Sequence, residues 1–453
     1  MCRILKRKDL VSSQIVINNS INYITKLQLF KTMALVTLNY NKKNRDILYI
    51  SITVIAVFLV AMLASILNDT TLNPHVVVTD VYAQPYVETV KHRNLTIDLG
   101  NGLKTNAQLT IPAVGGGQFP GVIIFPGAGA GSVLPPTSPY SHLAKYLSER
   151  GFAVLRYDKR GVGPNFTISD SNAWGNLTFN NLKQDAEKAI SVLLQQPEVN
   201  ASKKATLIGH SEGSNIPPRV AVDIPDKVSN IVLMSPVAEK WTDIIYFQEV
   251  AHPLLYAESI LAKGHLGLIS VKEASKDPIF QTLVGGNLTQ LLLNKSSVTG
   301  NNVSTSHEQN KTNADLISIE KELKPALVRF YENDTSPTPS QLSAKCIDIF
   351  GCPSEGKSFS ALSSVNSMIG NVSSNIGVLV LVGKNDSQTP LEQASLLQQR
   401  LTEVNHPDHL MIVYPGLGHS FAPSNQWVDS HGPMEEYVFQ DIYEWLTSPA
   451  RHQ

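Results

Sequence analysis

The sequence has few charged side chains and almost no net charge. Charged residues make up 17% of its 453 residues, and the formal net charge is −1 at pH 7. A protein that binds nucleic acid or another polyanion usually carries a clear basic excess. The charge balance therefore argues against a polyanionic partner and fits a small or neutral one.

Cysteine is also scarce, with three residues in the whole chain. Cys346 and Cys352 have no histidine partners at ligand spacing, so the sequence predicts no metal site there. The two residues are close enough in sequence to close a short disulfide loop in an oxidising compartment.

The N-terminal region contains one long run without charge. Residues 47–67 read "ILYISITVIAVFLVAMLASIL", which is long enough to cross a bilayer core of about 30 Å at about 1.5 Å per residue. Residues 1–46 before it are rich in lysine and arginine, which favours a cytoplasmic tail. We therefore expect a transmembrane anchor with the remaining chain outside the cell. The alternative is a cleaved signal and a secreted protein.

Many N-x-[ST] sequons agree with an outward location, because they accept glycans on secreted domains. The sequence therefore predicts a glycoprotein. Examples of these sequons begin at Asn94, Asn165, Asn176, Asn200, Asn287, Asn294, Asn302, Asn310, Asn333 and Asn371.

The segment after a linker over 68–86 alternates strand-length apolar runs with amphipathic runs of helix length. This alternation is typical of an α/β fold with a mainly parallel central sheet flanked by helices. The pattern breaks over 237–374, which is rich in Asn, Ser and Thr. We therefore predict one α/β domain built from 87–236 and 375–449, with 237–374 as a mostly helical cap insertion over one end of the sheet.

The pentapeptide "GHSEG", Gly209 to Gly213, matches G-x-S-x-G between a predicted strand and a predicted helix. Glycines at these positions leave room for a sharp turn that exposes the serine hydroxyl. Ser211 is therefore a candidate nucleophile. The alternative is a polar residue in a glycine-bearing turn, so the assignment depends on finding a base and an acid.

Both partners follow later predicted strands. Asp386 comes after "GVLVLVGKN" and His419 after "MIVYPGLG". Separately each residue reads as a turn or loop residue, but parallel strands bring their carboxyl ends to one edge of a sheet, where the two can meet Ser211. We predict a triad in which His419 is the base and Asp386 orients it.

An oxyanion intermediate would need two backbone donors. We expect them to be the N–H of Glu212, directly after Ser211, and the N–H of Ala128 in "PGAGAGS", with Gly127 making the turn. A phosphate-binding loop is the competing interpretation of this glycine-rich segment, but the segment lacks the Lys-[ST] pair of a P-loop.

Together with "RYDKRGVGPN", "VGKNDSQTP" and "PGLGH", these motifs resemble the α/β-hydrolase superfamily over nearly all of residues 87–449. The resemblance is to its carboxylesterase branch, which is related to serine aminopeptidase-like hydrolases. It implies acyl transfer from a small-molecule ester through an acyl-enzyme, with no cofactor. It also implies that Asp158 and Arg160 form an ion-paired turn that supports the site.

Two alternatives to a carboxylic ester hydrolase stay open. A peptidase or a thioesterase would use the same triad. A surface binding protein with this fold would not turn over a substrate, although it would have no need of all three triad residues.

Overall fold

The computed structural model describes residues 88–164, 166–262, 267–285, 316–346 and 348–449. All of them belong to one unit, Val87–Gln453. The predicted cytoplasmic tail and linker lie outside the described residues.

The prediction of a transmembrane helix is wrong for the structure as described. Within the ranges given above, no helix is long and apolar enough to cross a membrane. The longest α-helix there has 16 residues and an amphipathic pattern, whereas a span needs about 20 mostly apolar residues. The candidate segment 47–67 lies outside these ranges, so no membrane anchor is assigned.

The described residues form twelve strands. In chain order they are β1 (Val90–Gly100), β2 (Leu103–Pro112), β3 (Gly121–Phe125), β4 (Ala153–Tyr157), β5 (Val162–Gly163), β6 (Thr167–Ile168), β7 (Ala205–His210), β8 (Val228–Met234), β9 (Leu268–Ser270), β10 (Leu316–Ser318), β11 (Gly377–Gly383) and β12 (His409–Tyr414).

Eight of these strands make one sheet in the order β1-β2-β4-β3-β7-β8-β11-β12. Strand β2 runs antiparallel to both of its neighbours. All other neighbouring pairs are parallel. The carboxyl ends of β3, β7, β11 and β12 therefore lie at one edge, which confirms the predicted fold class.

Helices fill most of the connections between the strands. They are α1 (Pro139–Glu149), α2 (Ser171–Gly175), α3 (Phe179–Leu194), α4 (Ile216–Asp223), α5 (Trp241–Tyr246), α6 (His252–Tyr256), α7 (Val271–Ala274), α8 (Lys324–Thr335), α9 (Pro339–Ser343), α10 (Pro353–Ser360), α11 (Val365–Met368), α12 (Leu391–Glu403) and α13 (Glu436–Thr447). Shorter turns of 3-10 helix occur at Ala201–Lys203, Ser211–Asn215 and Ile369–Asn371, and of π-helix at Phe247–Ala251, Ala257–Leu261 and Ile319–Leu323.

The sheet separates two apolar clusters because successive side chains of a strand point to opposite faces. In β3, Ile123 packs into the cluster that contains α3, whereas Ile124 packs into the cluster that contains α1 and α13. All five residues of β3 are buried. A continuous apolar run is what a strand covered by helices on both faces requires.

The chain between β8 and β11 is mostly helical and has a small apolar cluster of its own, which includes Val250, Tyr256 and Phe280. It also contains the antiparallel pair β9 and β10. The sequence pattern does not predict this pair, because each strand has only three residues. The bounds 237–374 for the cap insertion stay a prediction.

Candidate active site

Ser211 stands at the turn from β7 into the 3-10 turn Ser211–Asn215. Its φ of 55° lies in the left-handed region, which a residue with a side chain adopts at a cost. The flanking glycines are required by the packing. A Cβ on Gly209 would lie 2.8 Å from Ser214 Cα, and a Cβ on Gly213 would lie 2.5 Å from the Phe125 carbonyl oxygen.

The structure brings Ser211, His419 and Asp386 together. His419 Nε2 lies 2.8 Å from Ser211 Oγ. His419 Nδ1 lies 3.0 Å from both carboxylate oxygens of Asp386. The three residues follow β7, β12 and β11, so the shared sheet edge explains why residues far apart in sequence meet.

Asp386 is held from several sides. Its Oδ1 accepts the backbone N–H groups of Gln388 at 2.9 Å and Thr389 at 2.8 Å. The Thr389 hydroxyl donates to its Oδ2 at 3.0 Å. These donors fix the carboxylate beside the imidazole, and each of them favours its ionised form.

The electrostatics of the pair set the direction of proton transfer. Burial by itself raises the pKa of Asp386, but the charge and hydrogen bond of His419, with the backbone donors, lower it below its ordinary value. Burial by itself lowers the pKa of His419, but Asp386 outweighs this and raises it above 6.5. Asp386 therefore holds the Nδ1–H, and Nε2 of the neutral ring is left to accept a proton from Ser211.

Ala128 and Glu212, the two expected oxyanion donors, line the same cavity as Ser211. Glu212 lies in the first turn after the strand, where a helix leaves its N–H groups without intrahelical acceptors. Gly127 contributes in a different way. Its N–H donates to Tyr140 Oη at 3.2 Å, and a Cβ there would lie 3.2 Å from Ser211 Cβ, so a side chain at this position would crowd Ser211.

The glycine-rich segment is anchored at its far end as well. Ala130 N–H donates to the Ile349 carbonyl at 2.7 Å. The Ser132 hydroxyl and the Val133 N–H both donate to Asp158 Oδ1 at 2.9 Å. Asp158 thus holds the backbone that follows Ala128.

The expected ion pair between Asp158 and Arg160 is wrong. Arg160 pairs instead with Asp185 on α3, with its Nε at 2.8 Å and Nη2 at 2.6 Å from the carboxylate oxygens. Lys159 pairs with Glu212 at 2.5 Å, and both side chains are buried. Successive residues of the turn point in different directions, so each charge reaches a different element.

A cavity of about 680 Å³ opens at Ser211. Apolar side chains form one part of its wall, and carboxyl groups form another. The apolar residues include Val237, Trp241, Ile244 and Ile245, and the acidic residues are Glu212, Glu249, Asp334, Asp348 and Glu355.

Two carboxyl groups of this wall have pKa values well above the ordinary value of a glutamate side chain. Burial and the neighbouring Asp334 raise the pKa of Glu249 to about 8. Burial and the charge of Glu212 raise the pKa of Glu355 to about 8 as well.

Several residues of the site were not predicted from the sequence. Tyr140 lies in no motif, and Lys159 and Thr389 lie in "RYDKRGVGPN" and "VGKNDSQTP", which do not indicate the contacts of these two side chains. His210 occupies the variable position of G-x-S-x-G. The motif places it next to Ser211 but does not indicate what its side chain does. Ser214 Oγ accepts the Val237 N–H at 3.1 Å, which links the turn to the start of the connection after β8.

A mainly parallel sheet in which a G-x-S-x-G turn meets a histidine and an acid from later loops is the arrangement of α/β-hydrolases. The chain belongs to the α/β-hydrolase superfamily. Residues 122–282 match the family model described as serine aminopeptidase, S33. Residues 331–451 match that of the prolyl oligopeptidase family. The chain is thus a hydrolase of the esterase or peptidase type.

No curated protein matches the sequence. Among solved structures, proline iminopeptidase of Mycobacterium smegmatis is similar at 17% identity and a TM-score of 0.41, over 78% of this chain and 97% of that one. Est1E of Butyrivibrio proteoclasticus is similar at 15% identity and a TM-score of 0.43, over 78% and 97%. A carboxyl esterase of Bacillus coagulans is similar at 14% identity and a TM-score of 0.44, over 80% and 98%. At this level of likeness, none of the three indicates a substrate.

Proposed function

We propose that this protein is a serine hydrolase that cleaves carboxylic esters through Ser211, His419 and Asp386. One observation carries the proposal: the 2.8 Å contact between Ser211 Oγ and the Nε2 of a histidine whose Nδ1 is held by a buried carboxylate. This is the geometry that activates a serine hydroxyl.

The first half of the reaction forms the acyl-enzyme. Ser211 Oγ attacks the ester carbonyl carbon while His419 Nε2 takes the hydroxyl proton. The backbone N–H groups of Ala128 and Glu212 stabilise the negative oxygen of the tetrahedral intermediate. The carbon–oxygen bond to the alcohol then breaks, and His419 gives its proton to the leaving alcohol.

The second half repeats these steps with water. His419 takes a proton from the water as its oxygen attacks the acyl carbon, and the bond to Ser211 Oγ breaks as the proton is returned to the serine. The net reaction converts one ester and one water into an acid and an alcohol. The apolar wall of the cavity beside Ser211 suits the acyl or alkyl part of such a substrate.

The proposal is tested on the full chain and its Ser211→Ala variant. Each is assayed with p-nitrophenyl esters of graded acyl length and labelled with a fluorophosphonate. We expect hydrolysis and labelling in the wild type and neither in the variant. A folded wild type that neither labels nor hydrolyses any ester would mean that Ser211 is not an activated nucleophile, as expected for a binding protein.

A second candidate is an aminopeptidase, and the carboxyl pair of Glu249 and Asp334 favours it. The two groups are close enough to interact directly, and both line the cavity that contains Ser211. Two carboxyl groups within hydrogen-bonding reach of each other resist the loss of both protons. An ammonium group of the substrate would relieve this repulsion, as the free amino terminus of a peptide would.

Matched substrates separate the two candidates. We compare an amino-acid p-nitroanilide that has a free α-amine with its N-acetyl derivative, in the wild type and in Glu249→Gln. An aminopeptidase prefers the free amine and loses that preference in the variant. Equal rates on both substrates, with faster cleavage of simple esters, would leave the esterase as the function.

We also propose that the catalytic domain works outside the cytosol. The bond between Cys346 and Cys352 supports this, because disulfides persist in oxidising compartments and are rare in the cytosol. The test is to alkylate free thiols in intact cells before lysis and to analyse the peptide that contains both cysteines. Recovery of the alkylated rather than the bridged peptide would contradict the proposal.

A further inference from the structure

Four groups form a continuous chain of hydrogen bonds between the oxyanion segment, which is "PGAGAGS" from Pro126 to Ser132, and the loop after β12 that contains His419. The Gly127 N–H donates to Tyr140 Oη at 3.2 Å. Tyr140 Oη lies 2.9 Å from His210 Nδ1. His210 Nε2 lies 2.9 Å from the carbonyl oxygen of His419. We call this chain the Tyr140–His210 bridge.

The chemistry of these groups fixes the direction of every bond in the bridge. A carbonyl oxygen only accepts, so His210 Nε2 carries a proton. Burial lowers the pKa of His210 to about 4, so the ring is neutral and its Nδ1 accepts. Burial raises the pKa of Tyr140 to about 12, so its hydroxyl keeps the proton that it donates to Nδ1. Its oxygen is then free to accept the Gly127 N–H.

The bridge has no second arrangement of similar quality. His210 is 9% exposed, and its ring packs against His419 at a centroid distance of 5.0 Å and against Phe421 at 6.3 Å. Moving the proton to Nδ1 would place an unprotonated Nε2 against the His419 carbonyl, and turning the ring would put carbon atoms where its two nitrogens bond. Either change would leave buried polar groups without partners, which is destabilising.

Both ends of the bridge lie on the backbone of a proposed catalytic element. Gly127 directly precedes Ala128, a proposed oxyanion donor. The His419 carbonyl belongs to the residue that acts as base, and it also accepts the Ser235 hydroxyl at 3.0 Å. The bonds of Tyr140 and His210 end on backbone groups of Gly127 and His419, so their contribution acts through those residues.

We propose that Tyr140 and His210 are positioning residues that keep the oxyanion segment and His419 in register for the tetrahedral intermediate. The inference rests on the proposed serine-hydrolase function. The bridge acts on the relative position of two elements rather than on substrate binding. Its loss should therefore lower kcat and leave KM nearly unchanged, because the misplaced donor stabilises only the oxyanion.

The first variant is Tyr140→Phe, which keeps the ring and removes the one oxygen shared by two hydrogen bonds. Loss or misplacement of an oxyanion donor costs about 10²–10³ in kcat, and a shifted donor retains part of its effect. We expect kcat on a p-nitrophenyl ester to fall about 10- to 100-fold. The matched control is Tyr256→Phe in the cap, whose hydroxyl donates to Asp277 at 3.0 Å and whose pKa is also raised to about 12.

The decisive readout compares two inhibitors. An alkyl boronic acid adds to Ser211 Oγ and places a boronate oxygen in the oxyanion hole, whereas the product carboxylic acid binds without forming a tetrahedral adduct. In Tyr140→Phe the inhibition constant of the boronic acid should rise by the same factor by which kcat falls. The inhibition constant of the product should change less than about twofold. A general loosening of the fold would weaken both inhibitors.

A second variant, His210→Gln, tests the bridge independently in case Tyr140→Phe does not fold. Its amide retains an N–H for the His419 carbonyl but does not reproduce the acceptor for Tyr140. We expect a smaller loss of kcat than in Tyr140→Phe, with the same split between the two inhibitors. Thermal unfolding of all variants is measured alongside.

The outcomes separate this inference from the function on which it rests. A wild type that the fluorophosphonate does not label overturns the proposed function and this inference with it. If the wild type is labelled, the proposed function stands, and two results on the variants would overturn the inference alone. In one, both bridge variants keep the wild-type kcat; in the other, the boronic acid and the product weaken equally.

Discussion

Asp386→Asn is the substitution that most directly tests how the site sets the state of His419. The change keeps the size of the side chain and removes its charge. The Asn Oδ1 retains the acceptor for the N–H groups of Gln388 and Thr389, which now bond to Asp386 Oδ1. Its amide nitrogen then replaces Oδ2 and points a donor at His419.

This donor decides the tautomer of the imidazole. In the wild type, His419 Nδ1 donates to Asp386 and Nε2 accepts from Ser211. Opposite an amide N–H, Nδ1 must accept, so the proton moves to Nε2. A protonated Nε2 donates to Ser211 Oγ and cannot accept the proton of the Ser211 hydroxyl. A base in the wrong tautomer costs about 10⁴ in kcat, or about 5.5 kcal/mol at about 1.36 kcal/mol per tenfold change.

The pH profile gives an independent check. Hydrolysis needs neutral His419, so wild-type activity is lost as the pH falls through the pKa of His419, which Asp386 raises above 6.5. Without the charge of Asp386, burial dominates and lowers the pKa of His419. The residual activity of the variant should therefore persist to a lower pH than that of the wild type.

The assay measures kcat and KM on a p-nitrophenyl ester over a range of pH for the wild type, Asp386→Asn and the control Asp441→Asn. Asp441 accepts the Tyr414 hydroxyl at 2.9 Å on α13, outside the site. We expect a loss of about 10⁴ in kcat with similar KM for Asp386→Asn and no loss for the control. A loss below tenfold, or an acid limb that does not move, would refute the assigned role of Asp386.

Two further predictions concern stability and use urea unfolding. In Gly213→Ala the new Cβ meets the Phe125 carbonyl, so we expect a loss of about 1–3 kcal/mol; an unchanged midpoint would mean that the turn has room. Glu355, with a pKa of about 8 in the folded state against 4.5 unfolded, binds more protons when folded, so wild-type stability falls as the pH rises through this window. Glu355→Gln should flatten this slope, and parallel pH curves would contradict it.

The local sequence was sufficient for the turn at Ser211 and for the type of sheet. Gly209 is needed because the backbone of Gly213 and Ser214 lies where its side chain would be, and that requirement acts within a few residues. Gly213 is confined by the carbonyl of Phe125 at the end of β3, so the motif signals this glycine but only the packed sheet explains it. Alternating apolar runs predicted the parallel strands, and strand ends then placed Asp386 and His419 at one edge. These inferences succeed because the turn motif and the periodicity of strands and helices can be read from neighbouring residues.

Charge partners were less accessible to prediction. Asp158, Lys159 and Arg160 are adjacent in sequence, yet they hold the glycine-rich segment, Glu212 and Asp185 respectively. A sequence shows that charges are present but not which elements are packed around them. The predicted pair of Asp158 and Arg160 failed for that reason.

The sequence by itself determined the fold class, the residue at the strained turn and the three side chains that meet there. Tertiary structure alone decided how the site is held. The Tyr140–His210 bridge joins α1, the end of β7 and the loop after β12. The carboxyl pair joins Glu249 in the π-helical turn Phe247–Ala251 to Asp334 on α8. Such contacts depend on the packing of distant elements, because the orientation of one side chain toward another is set only when both elements are in place.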